Sequence, residues 1–540
     1  MTIETTPVTP RRRKATVAAT SAVLAVAVGL VGSLAACSAF NPPPMSTIGE
    51  VDFASPLAIP PLAESTVDGS GVRHFSLTAQ AGQSDFGQGH ATATRGFNGA
   101  YLGPTLVAER GEEVAVDVRN TLDEPTTVHW HGMHLPAAMD GGPHQMVAPG
   151  EIWTPRWTVD QPAATLWYHP HPHGETEKQV RQGMAGMFIL HDDAERSAGL
   201  PAEYGVDDIP VIVQDASFDA DARLQLTGGP FVGVLGDTLL VNGTVGPYLD
   251  VTTDVVRLRL LNASSARSYD FAFSDSRDFA IIASDGGLLD APVRASDVQL
   301  SPGERAEILV RMSPGEDIVL RSLEQDLGGV VGFVGPSGAG DSFDVLQLRA
   351  ADVLRQAGTI PAAFVPIERL SEADATAERS FTLDGTQINQ REMDLGRIDE
   401  VVEVGSTEIW TVTNNMAAPH NFHVHDVQFQ ILTIGGSVPP AELAGWKDTV
   451  YLRPNTAYRL IMRFEDYTDP DMPYMYHCHL LRHEDAGMMG QFVVVEPGQS
   501  PGTPPGSSHH SGDGAGDEDA RGGAREGYGP RDENPQSHEH

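Results

Sequence analysis

One phrase recurs three times along the chain: a turn leads into a strand of alternating or β-branched residues that ends at Asn. It runs from Gly111 to Asn120, from Thr253 to Asn262 and from Gly405 to Asn414. Each Asn is followed within a few residues by Thr, Ser or Ala and then by a new strand. A strand of this kind has one apolar face that it cannot cover by itself. Recurrence at roughly 150-residue intervals therefore calls for three related packed units. Short runs such as Glu113–Arg119, Val255–Leu261 and Glu408–Thr413 are separated by Gly, Pro, Asn and Asp at sandwich-like intervals, and no long segment carries a helical period. The expectation is an all-β chain of three β-sandwich domains, over residues 45–200, 201–354 and 355–496. The Asp/Ala/Glu-rich stretch from Leu370 to Glu378 reads as part of a linker.

The two ends do not belong to that pattern. Arg11, Arg12, Arg13 and Lys14 precede a run from Ala15 to Ala36 that is almost wholly apolar or small, as an export signal requires. The arginines also resemble a twin-arginine signal. The run closes on Leu34, Ala35, Ala36 and Cys37, which resembles a bacterial lipobox. Residues 1–36 then read as a cleaved lipoprotein signal and Cys37 as a lipid anchor, the one expected link to a membrane. The expected location is outside the cytoplasm. After Val495 the composition turns to Pro, Gly, Ser, His and acidic residues, so 497–540 reads as a disordered tail, its His509, His510, His538 and His540 solvated. With 73 acidic against 35 basic residues the net charge is −38, which repels nucleic acid and favours cations. The protein reads as a monomer.

Cysteine and histidine carry the chemistry. Only Cys37 and Cys478 occur, so no disulfide framework is available, and Cys478 is the sole thiol left once Cys37 is lipidated. Most of the 20 histidines fall into four tight groups: His129 and His131; His169, His171 and His173; His420, His423 and His425; His477, His479 and His483 around Cys478. No histidine lies between Asp192 and Pro419, so the middle domain can only space or shape a site built by the other two. A single His-x-His is as readily a pair of surface residues as a ligand pair. Four such groups beside a lone exported thiol point to metal. A thiolate with two imidazoles and a distant thioether (His420, Cys478, His483 and Met488) describes a trigonal copper site with a weak axial Met, whereas structural zinc normally draws several cysteines. In an extended segment Cys478 faces one way and both flanking histidines the other. That arrangement joins one copper to others over a span on the order of 10 Å.

The four groups, in this order, resemble the copper-binding motifs of the multicopper oxidases, a family that includes laccases and bacterial cuprous oxidases. The resemblance covers roughly residues 50–496. It extends to Asp160–Ala164, Gly445–Thr449 and the run from His483 to Met489. It implies three cupredoxin-like Greek-key sandwiches and four copper ions. His420, Cys478, His483 and axial Met488 would hold a type 1 copper, and His129 and His423 a type 2 copper. His131, His169, His171, His425, His477 and His479 would hold a type 3 pair. His173 would lie just behind the ligands. O2 would be the electron acceptor, with Asp140 and Glu484 as the acidic residues that supply protons.

The expected donor is a phenol, an aromatic amine or a metal ion. No Met-rich insert lies between Leu370 and Ile409, and Met393 is alone there. The sequence therefore predicts an uncovered type 1 site open to bulky organic donors. Oxidation of Cu(I) for copper detoxification is the alternative. A copper nitrite reductase would not need all four groups. A non-enzymatic envelope protein on the same scaffold would be expected to have lost ligands.

Overall fold

The computed structural model describes residues 43–229, 231–329 and 337–505. The signal segment, Cys37 and the histidines of the tail lie outside the described residues.

The described chain is nearly all sheet, and six sheets stack in three pairs. The three recurrent segments become the strands Glu113–Asn120, Val255–Asn262 and Thr407–Asn414. Each pairs in parallel with an earlier strand: Arg73–Ser84, Asp208–Ala216 and Ala377–Asp384 respectively. Each pairs antiparallel with a later one: Arg156–Thr158, Arg305–Arg311 and Ala457–Arg463. Parallel neighbours in a sandwich require a crossing connection, which is the Greek-key signature.

The closing Asn has the same task in all three. Asn120 Oδ1 accepts from Leu122 N–H, while its Nδ2 donates to Glu124 O and Val147 O. Asn262 does so with Ser264, Arg267 and Leu300, and Asn414 with Met416, Ala418 and Leu452. One buried side chain thus satisfies the turn and ties it to a neighbouring strand. An apolar residue there would orphan three buried backbone groups.

Each pair of sheets closes over its own core. Phe75, Val116, Trp130 and Phe188 fill the first; Leu258, Phe271, Ile308 and Leu346 the middle; Trp410, Phe422, Leu460 and Phe492 the third. The strand Ser55–Pro56 pairs with Pro247–Thr253, so the chain touches the middle sandwich before it builds the first.

Two strand registers set the histidines. In the first sandwich, antiparallel pairing puts His169 opposite His129 and Trp167 opposite His131. In the third, His423 lies opposite His477 and, on its other side, Thr449. The interface between these sandwiches is where the rings meet.

Candidate copper centres

Eight buried histidines from the first and third sandwiches converge, and their rings can be taken as two triads and a pair, with His129 stacked on His425 and His131 on His423 across these groups. His131, His169 and His479 lie with ring centroids 4.9–5.7 Å apart. His171, His425 and His477 lie 4.8–5.3 Å apart. His129 and His423 approach each other with Nε2 atoms 3.5 Å apart.

Hydrogen bonds on the outer nitrogens aim the inner ones. His129, His169, His423 and His477 donate Nδ1–H to the carbonyls of Asp140, Pro170, Asp448 and Cys478. His425 donates Nδ1–H to Asp140 Oδ2 at 2.8 Å. An acceptor on Nδ1 fixes the tautomer and leaves Nε2 with a lone pair directed inward. His131 is reversed: its Nε2–H donates to Asp448 Oδ1 at 3.0 Å, and its buried Nδ1 has no protein partner. Neither nitrogen of His479 has one. Burial, reinforced by neighbouring rings, holds His131, His169, His423, His425 and His479 below their usual pKa, and His477 at about 3. They are neutral, the ligating form.

Neutral rings should not crowd lone pairs together, yet His477 Nε2 lies 3.2 Å from both His171 Nε2 and His425 Nε2. Unpaired buried acceptors at that spacing are costly unless a cation lies among them. An all-imidazole donor set suits copper.

The second centre lies within the third sandwich. Cys478 Sγ is 3.5 Å from His420 Nδ1 and 3.6 Å from His483 Nδ1, and the two Nδ1 atoms are 3.1 Å apart. All three residues are buried. Without metal, burial pushes the Cys478 thiol up to about 12; a coordinated copper would hold it as thiolate. Met488 is buried in the same core as Cys478. Its carbonyl accepts from Cys478 N–H, and its own N–H donates to His483 O. The thiol points to one centre while His477 and His479 join different triads, as alternation along the segment predicts.

The two carboxylates singled out from sequence both meet cluster rings. Asp140 Oδ1 lies 3.4 Å from His129 Nδ1, opposite its bond to His425. Glu484 sits between His171 Nδ1 and His477 Nδ1, 3.3 Å from each. Burial, then the neighbouring Asp485, raises the Glu484 carboxyl well above the usual range. His173 is exposed and so does not back the ligands as expected; the chain turns outward after Pro172.

Sequence reasoning missed what the middle sandwich and the strand beside it contribute. Arg305 grips Asp448 through both carboxylate oxygens at 2.7 and 2.6 Å and donates Nε–H to Thr165 O, touching all three sandwiches. Asn421 Oδ1 accepts from His479 N–H at 2.6 Å, while its Nδ2 donates to Ser301 and Pro302. Gly303, at φ +87°, leaves the space the rings need: a Cβ there would lie 3.1 Å from His479 and 3.2 Å from His131. The only sequence signal for Asp448 and Thr449 is the run 445–449. The expected open approach to Cys478 is not found. His420 and His483 are fully buried, because Phe231, from a segment that gave no sequence signal, covers them.

Residues 78–195 and 367–498 match two family profiles described as multicopper oxidase. The multicopper oxidase mco of Staphylococcus epidermidis is 34% identical over 81% of this chain and 92% of its own length. The chain belongs to the multicopper oxidase family. Members with other names are equally similar: the cell division protein FtsP of Salmonella typhimurium is 36% identical over 81% of this chain and 92% of its own length. A crystal structure of a laccase from Pediococcus acidilactici superposes with a TM-score of 0.74 at 35% identity, covering 82% of this chain and 94% of that one. The laccase-like multicopper oxidase CueO from Ochrobactrum gives the same TM-score at 37% identity, covering 82% and 100%. The three sandwiches are thus the cupredoxin-like sandwiches of this family.

Proposed function

We propose that this multicopper oxidase takes electrons singly from a reducing substrate at the Cys478 centre and reduces O2 to water at the histidine cluster. The carrying observation is the completeness of the donor set: ten buried histidines and a buried thiol, with convergent nitrogens that no protein group satisfies. A role that binds no metal makes no use of such unpartnered groups.

In this reading His420, Cys478, His483 and Met488 would hold a type 1 copper. His129 and His423 would hold a type 2 copper, and the two triads would hold the type 3 pair. Bound copper supplies one-electron transfer at the first centre and four-electron storage at the cluster. The protein's own residues aim the rings and handle protons. Glu484, its carboxyl raised by burial, lies between His171 and His477. Asp140 accepts from His425 at the other side of the cluster and offers a second carboxylate beside His129. The donor classes this reading admits are phenols, aromatic amines and metal ions, with Cu(I) oxidation for copper detoxification as the alternative. We place the protein outside the cytoplasm, anchored through Cys37, as a monomer.

Metal analysis with absorption spectra tests the reading. About four coppers per chain and an intense thiolate-to-copper band near ~600 nm are expected. One copper per chain, or zinc alone, would overturn it.

A further inference from the structure

Between the strands Asp208–Ala216 and Thr238–Val241 the middle sandwich sends a segment across to the Cys478 centre. The Phe231 carbonyl accepts the Nε2–H of His483 at 3.0 Å, the only hydrogen that ring can offer outward. The Phe231 ring lies 4.6 Å from the His483 ring and 6.3 Å from the His420 ring. Phe231 is 37% exposed, whereas both histidines beneath it are buried.

The first and third sandwiches hold this segment down. Arg482 Nη1, from the third, donates to Gly228 O at 2.8 Å and Gly229 O at 3.1 Å. Glu177 Oε1, from the first, accepts Val234 N–H at 3.3 Å. Val232 packs into the core that contains Cys478 and Met488. Gly233 makes the fit: its φ is +122°, and a Cβ would meet Ala266 at 3.1 Å, Glu177 at 3.2 Å and Arg482 at 3.4 Å. A segment with this many anchors is a built surface rather than a passing loop.

We propose that Phe231, seated by Gly233 and anchored by Arg482 and Glu177, is a specificity cap that excludes aromatic donors needing the His483 imidazole edge. The proposal rests on the copper reading above. A phenol bound at the imidazole edge would have its oxygen accept the Nε2–H of His483, but that hydrogen is already given to the Phe231 carbonyl. A metal ion gives up an electron alone and needs only close approach to the exposed Phe231 ring. Four such donors lose one electron each while O2 and four protons become two waters.

Arg482→Gln and Gly233→Val should lift the cap by different means. The kcat/KM for 2,6-dimethoxyphenol relative to that for Fe(II) should rise about tenfold or more in each. In copper-free protein, diethylpyrocarbonate should leave His483 unmodified while labelling exposed His173, and should label His483 in the variants, read by mass spectrometry. Should Gly233→Val not fold, Arg482→Gln carries the test. Labelling of His483 in the native protein overturns the cap, as does an unlabelled His483 in Arg482→Gln. An unchanged phenol-to-Fe(II) ratio in a labelled variant also overturns it. Absence of the red band from the native protein would instead count against the copper reading, and the labelling would still decide the cap.

Discussion

Where the first and middle sandwiches meet, Arg257 and Arg259 are buried among Glu195, Asp208 and Glu307, with bonds of 2.5–3.2 Å between opposite charges. Arg305, Asp448, Asp285, Lys447 and Glu304 continue this belt toward the third sandwich. The histidine cluster adjoins it through Asp448 and is just as buried, yet its inward nitrogens face one another. In the belt each buried charge has its counter-charge, so the groups are complete as they stand and hold sandwiches together. In the cluster the outer nitrogens of His129, His131, His169, His423, His425 and His477 are satisfied, and the inner ones are not. Burial is common to both; what distinguishes a binding site from a structural network is the direction in which the unpaired atoms point.

The largest expected effect breaks the cluster side of this comparison. Cys478→Ser keeps the volume but removes the soft ligand. Oxidase turnover should fall below detection and the red band should vanish, with the copper-free protein unfolding at nearly the native denaturant concentration. Turnover that survives would mean electrons do not enter through Cys478.

The belt breaks differently. Arg305→Met leaves Asp448 buried without its bidentate partner, beside Asp285. This should cost about 3–5 kcal/mol in denaturant unfolding of the copper-free protein. It should also weaken copper retention, because Asp448 orients His131. A variant of native stability would show that the belt does not hold the sandwiches.

Between these lie the carboxylates that touch the rings from outside. Asp140→Asn should slow O2-dependent turnover about 100-fold with copper content retained. Loss of copper instead would make Asp140 a positioning residue for His425 rather than a proton carrier.

How much of this could be read from sequence follows the same division. The three Asn-terminated strands were legible because a turn with fixed hydrogen-bonding needs leaves a fixed residue behind. The ligands were legible because metal donors come in few residue types at short spacing. Their grouping around Cys478 followed from strand alternation. Arg305, Asn421 and the Phe231 cap were not legible. Each acts on residues more than 100 positions away, and an arginine or a phenylalanine in a β-rich stretch is unremarkable until the fold brings its partner beside it.

The smallest effect concerns a histidine that obeys the belt's rule. His134 donates Nδ1–H to Asp426 at 2.7 Å and Nε2–H to Asp466 at 2.9 Å. Burial works against its charged form, but the two carboxylates outweigh it and raise His134 to about 10. Asp426 is itself pushed up by burial, so part of what the histidine gains is given back. With an unfolded pKa near ~6.5, the stabilisation is fully present below that pH and is lost as pH rises through about 10. His134→Gln should therefore cost about 1–2 kcal/mol at pH 6 and progressively less toward pH 10, read from urea midpoints across that range. An equal cost at both ends would mean that His134 is neutral like the cluster rings, and that burial rather than pairing sets the state of every histidine at this interface.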